Sequence, residues 1–278
     1  MVNNTLIVNP KPDEFLWNVK DNATQLSNRN TVRYNKDKLV KEITTISDAY
    51  NLQANSVRVQ TAMDGDTISG HKAGFTAQSA RDAFTLVNNM LFGELRASGK
   101  VENNGTLSLS NTFGNAARRY ELEVVFYIGD VDRTVTYNVN NVMGVLTHVA
   151  MGYELPGIHI ALADEITFIT SNLASYSYVE GTKVPLTSSL MTQLNSLSVS
   201  VTGPDGTIHN GNAREVEPSL LGVVAALINN CIKYGKPLTA GMPMFTGSLI
   251  GVQVLTTGTL SYTSEIQELG SINLTITD

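Results

Sequence analysis

Between residues 38 and 53, Leu39, Val40, Ile43, Ile46 and Tyr50 recur three and four positions apart among polar and charged neighbours. This spacing predicts an amphipathic helix with one buried face. A shorter helix is expected over 79–90, and a third over 141–151, where Val142, Val145, Leu146 and Val149 would share a face. The clearest spans 218–234: Pro218 is allowed in a first turn and Gly235 supplies a C-terminal stop. Elsewhere the apolar runs shorten and glycine turns separate them, predicting strands over 122–128, 166–169, 197–201, 248–255 and 272–276. The stretch SVSVTGPDGTIHNG, 198–211, reads as a hairpin with Gly203, Pro204, Asp205 and Gly206 at its turn. The chain is therefore α+β and β-rich, with strands dominating its second half.

Composition narrows the class. The 278 residues are 42% hydrophobic and 16% charged, a globular balance, and the formal charge of −6 comes without a basic run. Neither nucleic acid nor a membrane surface is an expected partner. The N-terminus lacks the basic start and apolar stretch of a signal peptide and no run is long enough to cross a bilayer, so a cytoplasmic location is expected. The single Cys231 lies in an apolar helical pattern and is assigned no chemistry. The polar stretch ASGKVENNGT near residue 100 divides an N-terminal helical/β region, 1–100, from a β-rich core, 101–278.

One strand carries an anomaly. In RRYELEVVF, 118–126, Glu121, Glu123 and Val125 face one way while Leu122, Val124 and Phe126 face the other. Taken alone, the stretch favours solvent-facing carboxylates paired to Arg118 or Arg119. The alternative is a pair converging on a hard cation, since same-face neighbours are about 7 Å apart at their Cα atoms. That reading needs a third oxygen ligand. Glu154, in MGYELPG, is the candidate, expected just past the helix 141–151 and before a Pro-Gly turn.

The E-L-E strand followed downstream by Y-E-L resembles the metal site of the fumarylacetoacetate hydrolase superfamily, within it the 2-keto-4-pentenoate hydratase and 4-oxalocrotonate decarboxylase branch. In order along the chain, SGHKAGFT (69–76), FTGSLIG (245–251) and ELGSINLTI (268–276) resemble that branch's lysine motif, T-G-S-L turn and closing strand. The resemblance implies a mixed β-roll with peripheral helices, the smaller N-terminal region contributing the lysine motif. It implies that Glu121, Glu123 and Glu154 hold Mg²⁺ or Mn²⁺, that Lys72 transfers protons, and that Thr246, Gly247 and Ser248 bind the substrate carboxylate. Asn172 would orient a water or the distal end of the substrate.

The substrate so implied is a small 2-oxo or 2-hydroxydienoic acid, with the metal stabilising negative charge on its 2-oxygen. Hydration is the first expectation and decarboxylation the second; a catalytically silent member with a structural or binding role is the alternative of another class. The relatives' homo-oligomeric assembly is expected too. None of His71, His148, His159 and His209 forms an i,i+4 pair with another histidine or a Glu-x-x-His pattern, and the His–Glu pair of the superfamily's hydrolases has no counterpart. Departures lie near the implied pocket: SNLASY at 171–176 replaces D-N-A-S-S-G, PGIHI replaces an acid-serine-arginine stretch, Leu91 replaces an acid, and Ile250 a threonine.

Overall fold

The computed structural model describes residues 43–278 except 85, 87–89, 114, 115 and 159–163. Helix α1 (Ile46–Asp64) starts at Thr45, whose hydroxyl accepts the Asp48 amide hydrogen. The earlier part of the helix expected over 38–53, with Leu39 and Val40, lies outside the described residues. Strand β1 (Ile68–Gly74), a short α2 (Gln78–Ala83), β2 (Leu91–Arg96), β3 (Lys100–Val101), β4 (Thr106–Ser108) and α3 (Leu109–Phe113) follow. Of the helix expected over 79–90, only the α2 portion is helical among the described residues.

Next comes β5 (Ala117–Ile128), then β6 (Leu146–Leu155) and β7 (Gly157–Ile158). The helix expected over 141–151 is a strand preceded by a single 3₁₀ turn, Val142–Val145. Residues 149–155 are buried on both sides of the sheet. A strand covered on both faces reads as a continuous apolar run that periodicity cannot distinguish from a helix. The opposite error concerns α4 (Glu165–Thr170), expected to be a strand. Asp164 caps it, accepting from the Thr167 amide while the Thr167 hydroxyl closes the capping box; the D-x-x-T signal was in the sequence.

The rest of the chain forms β8 (Ser177–Glu180), β9 (Val184–Pro185), α5 (Ser188–Leu194), β10 (Ser198–Thr202), β11 (Ile208–Asn212), α6 (Leu220–Lys233), β12 (Pro243–Ser248), β13 (Gln253–Val254), β14 (Gly258–Thr263) and β15 (Ser271–Thr277). The expected hairpin is β10–β11, paired antiparallel from Ser198–Asn212 to Thr202–Ile208. Helix α6 is capped by Ser219, with Pro218 one residue outside. The strand expected over 248–255 breaks into the end of β12 and the start of β13, around Gly251 in a left-handed conformation (φ 69°).

Ten strands form a mixed sheet ordered β2-β1-β12-β5-β6-β8-β3, with β7 and β13 added to β5 and β9 to β6; five form a second sheet, β11-β10-β14-β15-β4. One large core joins both sheets and α6, including Leu122, Val124, Phe126 and Ile128 of β5 with Val199, Val201, Leu260, Ile272 and Leu274. The other face of β5 contributes Val125 and Tyr127 to a separate small cluster with Leu95, Ala150, Tyr178 and Phe245. Each fully buried side chain of this size contributes about 1.5–3 kcal/mol, and a one-residue slip of β5 would exchange its two faces.

Gly152 sits against the small cluster: a Cβ there would lie 2.6 Å from Val125 Cγ2 and 2.8 Å from Phe245 Cε1. Among the described residues no helix is long and apolar enough to cross a membrane.

Candidate metal centre

Strand β5 lies between β12 and β6, antiparallel to both, and β1 runs parallel to β12 on its far side. The register aligns Glu121 with Glu154, Glu123 with Gly152, and Lys72 with Phe245. Cross-strand partners share a face, so Glu121, Glu123, Glu154 and Lys72 all point to the side carrying the small cluster, whose Val125 and Phe245 form the floor beneath the carboxylates. Glu154 is thus held by a strand, not by the loop expected from the sequence.

One oxygen from each of the three glutamates lies within 4.8 Å of the others. Glu123 is 0% and Glu154 1% exposed, and Glu121 is half-buried. Oε2 of Glu123 accepts the Gly247 amide hydrogen at 2.6 Å, while its Oε1 is buried with no partner. Lys72 Nζ, 3% exposed, pairs with Glu154 Oε1 and donates to the Leu173 carbonyl at 2.9 Å.

Burial pushes the Glu121 carboxyl up to about 8, and the Glu154 charge adds to this against the opposing Lys72. Glu123 is raised well above the carboxylate range by burial, Glu154 and Glu121, despite the Gly247 amide and Lys72. Burial also raises Glu154, with Lys72 opposing. One ammonium therefore faces three desolvated acids, an arrangement short of positive charge. An all-oxygen set with an orphaned buried oxygen fits a hard divalent cation such as Mg²⁺ or Mn²⁺ and does not suit zinc.

The side chains of the remaining expected residues have their polar atoms bound to main chain. Thr246 Oγ1 donates to the Val124 carbonyl at 2.9 Å, and Ser248 Oγ to the Gly251 carbonyl at 2.8 Å. Asn172 reaches the backbone of β2: Nδ2 donates to the Glu94 carbonyl and Oδ1 accepts from the Glu94 amide, both at 2.8 Å. It begins a turn of three consecutive left-handed residues, Asn172, Leu173 and Ala174 (φ 57°, 51° and 52°). For non-glycine residues this costs about 1–2 kcal/mol each. Of the three, only Asn172 is of a residue type that favours this conformation, and the Leu173 carbonyl the turn aims at Lys72 was missed.

Also missed was a second buried ionic group on the opposite face of β1 and β2. Lys236 Nζ lies 3.5 Å from Glu94 Oε1, both side chains 1% exposed, and donates to Gln53 Oε1 at 2.5 Å. His71 shares that face, opposite Glu94 in the register, its Nε2 2.6 Å from the Pro237 carbonyl. Burial and the Lys236 charge push His71 down to about 3, so it is neutral. Cys231 is buried and its thiol is pushed up to about 12 by burial, consistent with an inert side chain.

No family model and no curated protein matches the chain. Solved structures do. 4-Oxalocrotonate decarboxylase from Pseudomonas putida G7, complexed with magnesium and adipate, superposes with a TM-score of 0.76 at 18% identity, covering 97% of this chain and 100% of that one. Fumarylpyruvate hydrolase from Pseudomonas aeruginosa, in complex with Mn²⁺ and pyruvate, gives a TM-score of 0.53 at 16% identity over 74% of this chain and 88% of that one. The chain has the fumarylacetoacetate hydrolase fold. Maleylpyruvate hydrolase from Sphingobium sp. SYK-6 shares the fumarylacetoacetate hydrolase fold with it at a TM-score of 0.52 and 11% identity, over 83% and 85% of the two chains.

Proposed function

We propose that the chain is a divalent-metal-dependent lyase acting on small 2-oxo acids, and that its reaction is decarboxylation. The observation that carries the reading is the convergence of Glu121, Glu123 and Glu154, one oxygen each within 4.8 Å, with Lys72 on the third of them. The three carboxylates would hold Mg²⁺ or Mn²⁺. Bound there, the ion supplies positive charge beside the 2-oxo oxygen, where negative charge develops. The Mg²⁺ and Mn²⁺ complexes of proteins with this fold support the same choice of metal.

The preference for decarboxylation over the hydration expected first from the sequence rests on Leu91. It pairs with Gly74 in the register, on the face that carries Lys72, and is 1% exposed. Leu173 abuts Gly74 from above, Cδ2 lying 2.9 Å from where a Cβ would stand. Water addition needs one group to take a proton from water and another to protonate carbon. Loss of carbon dioxide needs only one proton.

In a 2-oxo acid whose conjugated double bond leads to a terminal carboxylate, the bond to that carboxylate breaks and its electron pair passes through the double bond to the 2-oxo oxygen. Carbon dioxide leaves, and a proton from Lys72 Nζ completes the enol. A leucine-lined wall disfavours the charged carboxylate relative to neutral carbon dioxide.

The test is 2-oxohex-3-enedioate supplied with saturating Mg²⁺ or Mn²⁺, with substrate loss and carbon dioxide followed together. Equal amounts are expected; substrate loss without carbon dioxide would assign hydration instead, and no loss with no thermal stabilisation by either metal would reject the lyase.

A further inference from the structure

We propose that Asn172 is a positioning residue that sets Lys72 through the Leu173 carbonyl, and that it does not touch substrate. The proposal rests on the reading of Lys72 as the proton-transfer group, and goes beyond it by assigning how that lysine is held.

The side-chain amide of Asn172 imitates a neighbouring strand. It gives and takes one hydrogen bond with the two backbone groups of Glu94, 2.8 Å each. Both of its polar atoms are therefore engaged by β2. The approach is close at Gly93: a Cβ there would lie 3.0 Å from the Asn172 carbonyl oxygen and 3.3 Å from its Oδ1, tight contacts that glycine avoids.

The left-handed turn is a consequence of this grip. Three successive non-glycine residues at positive φ persist only where the surroundings over-determine them. Here the Asn172 amide fixes one end and the Ser175 amide, donating to the Asn172 carbonyl at 3.0 Å, closes the other. Between them the Leu173 carbonyl is turned back to accept from Lys72 Nζ at 2.9 Å, and the Leu173 side chain presses on Gly74.

The ammonium is thus held between a neutral carbonyl and Glu154. Without the carbonyl, Lys72 keeps only the carboxylate, which a metal ion would claim.

The grip extends to the opposite side of the sheet. The residue whose backbone Asn172 holds, Glu94, directs its carboxylate to the buried Lys236, which also binds Gln53. Gln53 in turn donates to the Phe92 and Ile169 carbonyls at 2.8 Å each. Strand β2 is therefore immobilised on the face away from the site, and Asn172 transmits that rigidity to the site.

The test uses the full chain loaded with magnesium. Acetylation of Lys72 by N-hydroxysuccinimide acetate is quantified by peptide mass spectrometry, with exposed Lys183 as internal standard. In Asn172→Ala the relative rate at Lys72 should rise roughly tenfold, the loss expected for one hydrogen bond to a charged group. Magnesium affinity should stay within twofold of the wild type, roughly the range of an unperturbed site. Asn172→Leu, which keeps the bulk of the side chain and removes both bonds to Glu94, should reproduce the rise and serves equally if Asn172→Ala does not fold.

Where turnover is measured, kcat should fall with KM unchanged, and Asn172→Asp, which keeps the acceptor for the Glu94 amide, should recover part of it. Unchanged Lys72 labelling in both variants overturns the proposal, and so does loss of magnesium binding alongside faster labelling. A raised KM with unchanged labelling would make Asn172 a substrate ligand. A wild-type protein that turns over no 2-oxo acid but shows the labelling response would reject the lyase reading and leave the positioning role standing.

Discussion

Lys72 and Glu154 form a buried ion pair between β1 and β6, strands separated in the sheet by β12 and β5. In a flat sheet, strands three places apart would be about 14 Å from each other. The pair is made by two long side chains reaching toward each other across the face that carries Phe245 and Glu123.

The ammonium competes with any cation for the Glu154 carboxylate. Lys72→Met is therefore expected to bind magnesium several-fold more tightly in a calorimetric titration, while metal-dependent turnover falls by roughly 100-fold or more. Weaker binding in this variant would show that the lysine supports the metal instead of opposing it.

Glu123 carries the orphaned oxygen, and its other oxygen serves the Gly247 amide. Glu123→Gln keeps an acceptor for that amide and removes a charge that burial disfavours. Thermal melts should show a metal-free variant at least as stable as the wild type, with the magnesium-induced rise in Tm abolished. A rise of wild-type size would remove Glu123 from the ligand set.

The pH dependence has a definite sign. The Glu121 carboxyl rises from an ordinary value of 4.5 to about 8, and Glu123 and Glu154 also rise. Between those limits the native state binds more protons than the unfolded chain, so the contribution of these groups to stability is full below about 4.5 and lost as pH rises toward about 8. Metal-free protein should melt at a lower temperature at pH 8 than at pH 5.5, and saturating magnesium should shrink or reverse the difference, with protons released on binding. Equal pH slopes with and without magnesium would contradict this.

Gly152 allows β5 and β6 to pass at the site, and Gly152→Ala would press its Cβ on Val125 and Phe245. The expected loss is about 1–3 kcal/mol by denaturant titration. Magnesium affinity should fall with it, because Glu123 is the register partner of Gly152. An unaffected affinity would show that the carboxylates do not depend on this spacing.

Leu91→Asp places an acid on the face of Lys72. Carbon dioxide released per substrate consumed should drop below one as water-addition product emerges, measured by product chromatography. Strict one-to-one stoichiometry would mean that Leu91 does not govern the outcome.

Much of this centre was legible in the sequence because strand alternation is rigid. Glu121, Glu123 and Val125 share a face as their spacing demands, and SVSVTGPDGTIHNG folds as the hairpin its turn residues specify. Glu154 was noticed, but on the wrong kind of element, because β6 is buried on both sides and its apolar run hides the period of two. The turn at Asn172 was illegible for a different reason: asparagine tolerates the left-handed conformation, but Leu173 and Ala174 do not favour it, and the hydrogen bonds that hold it come from the backbone of β2, 78 positions earlier. The Glu94–Lys236 pair likewise joins β2 to a loop after α6, a contact that only the assembled sheet defines.

The parallel pairing of β1 with β12 has a consequence for the life of the chain before it is folded. His71 and Lys72 meet Met244 and Phe245, and Gly247 meets Glu123, across most of the described sequence. Contacts so distant form late and slowly. A ribosome-bound chain can present all three glutamates while the β12 strand that separates β1 from β5 is still unmade. Such a chain would carry Glu121, Glu123 and Glu154 on paired strands but lack the Gly247 amide that holds one oxygen of Glu123, so the last strands set the aim of the carboxylates and not their presence.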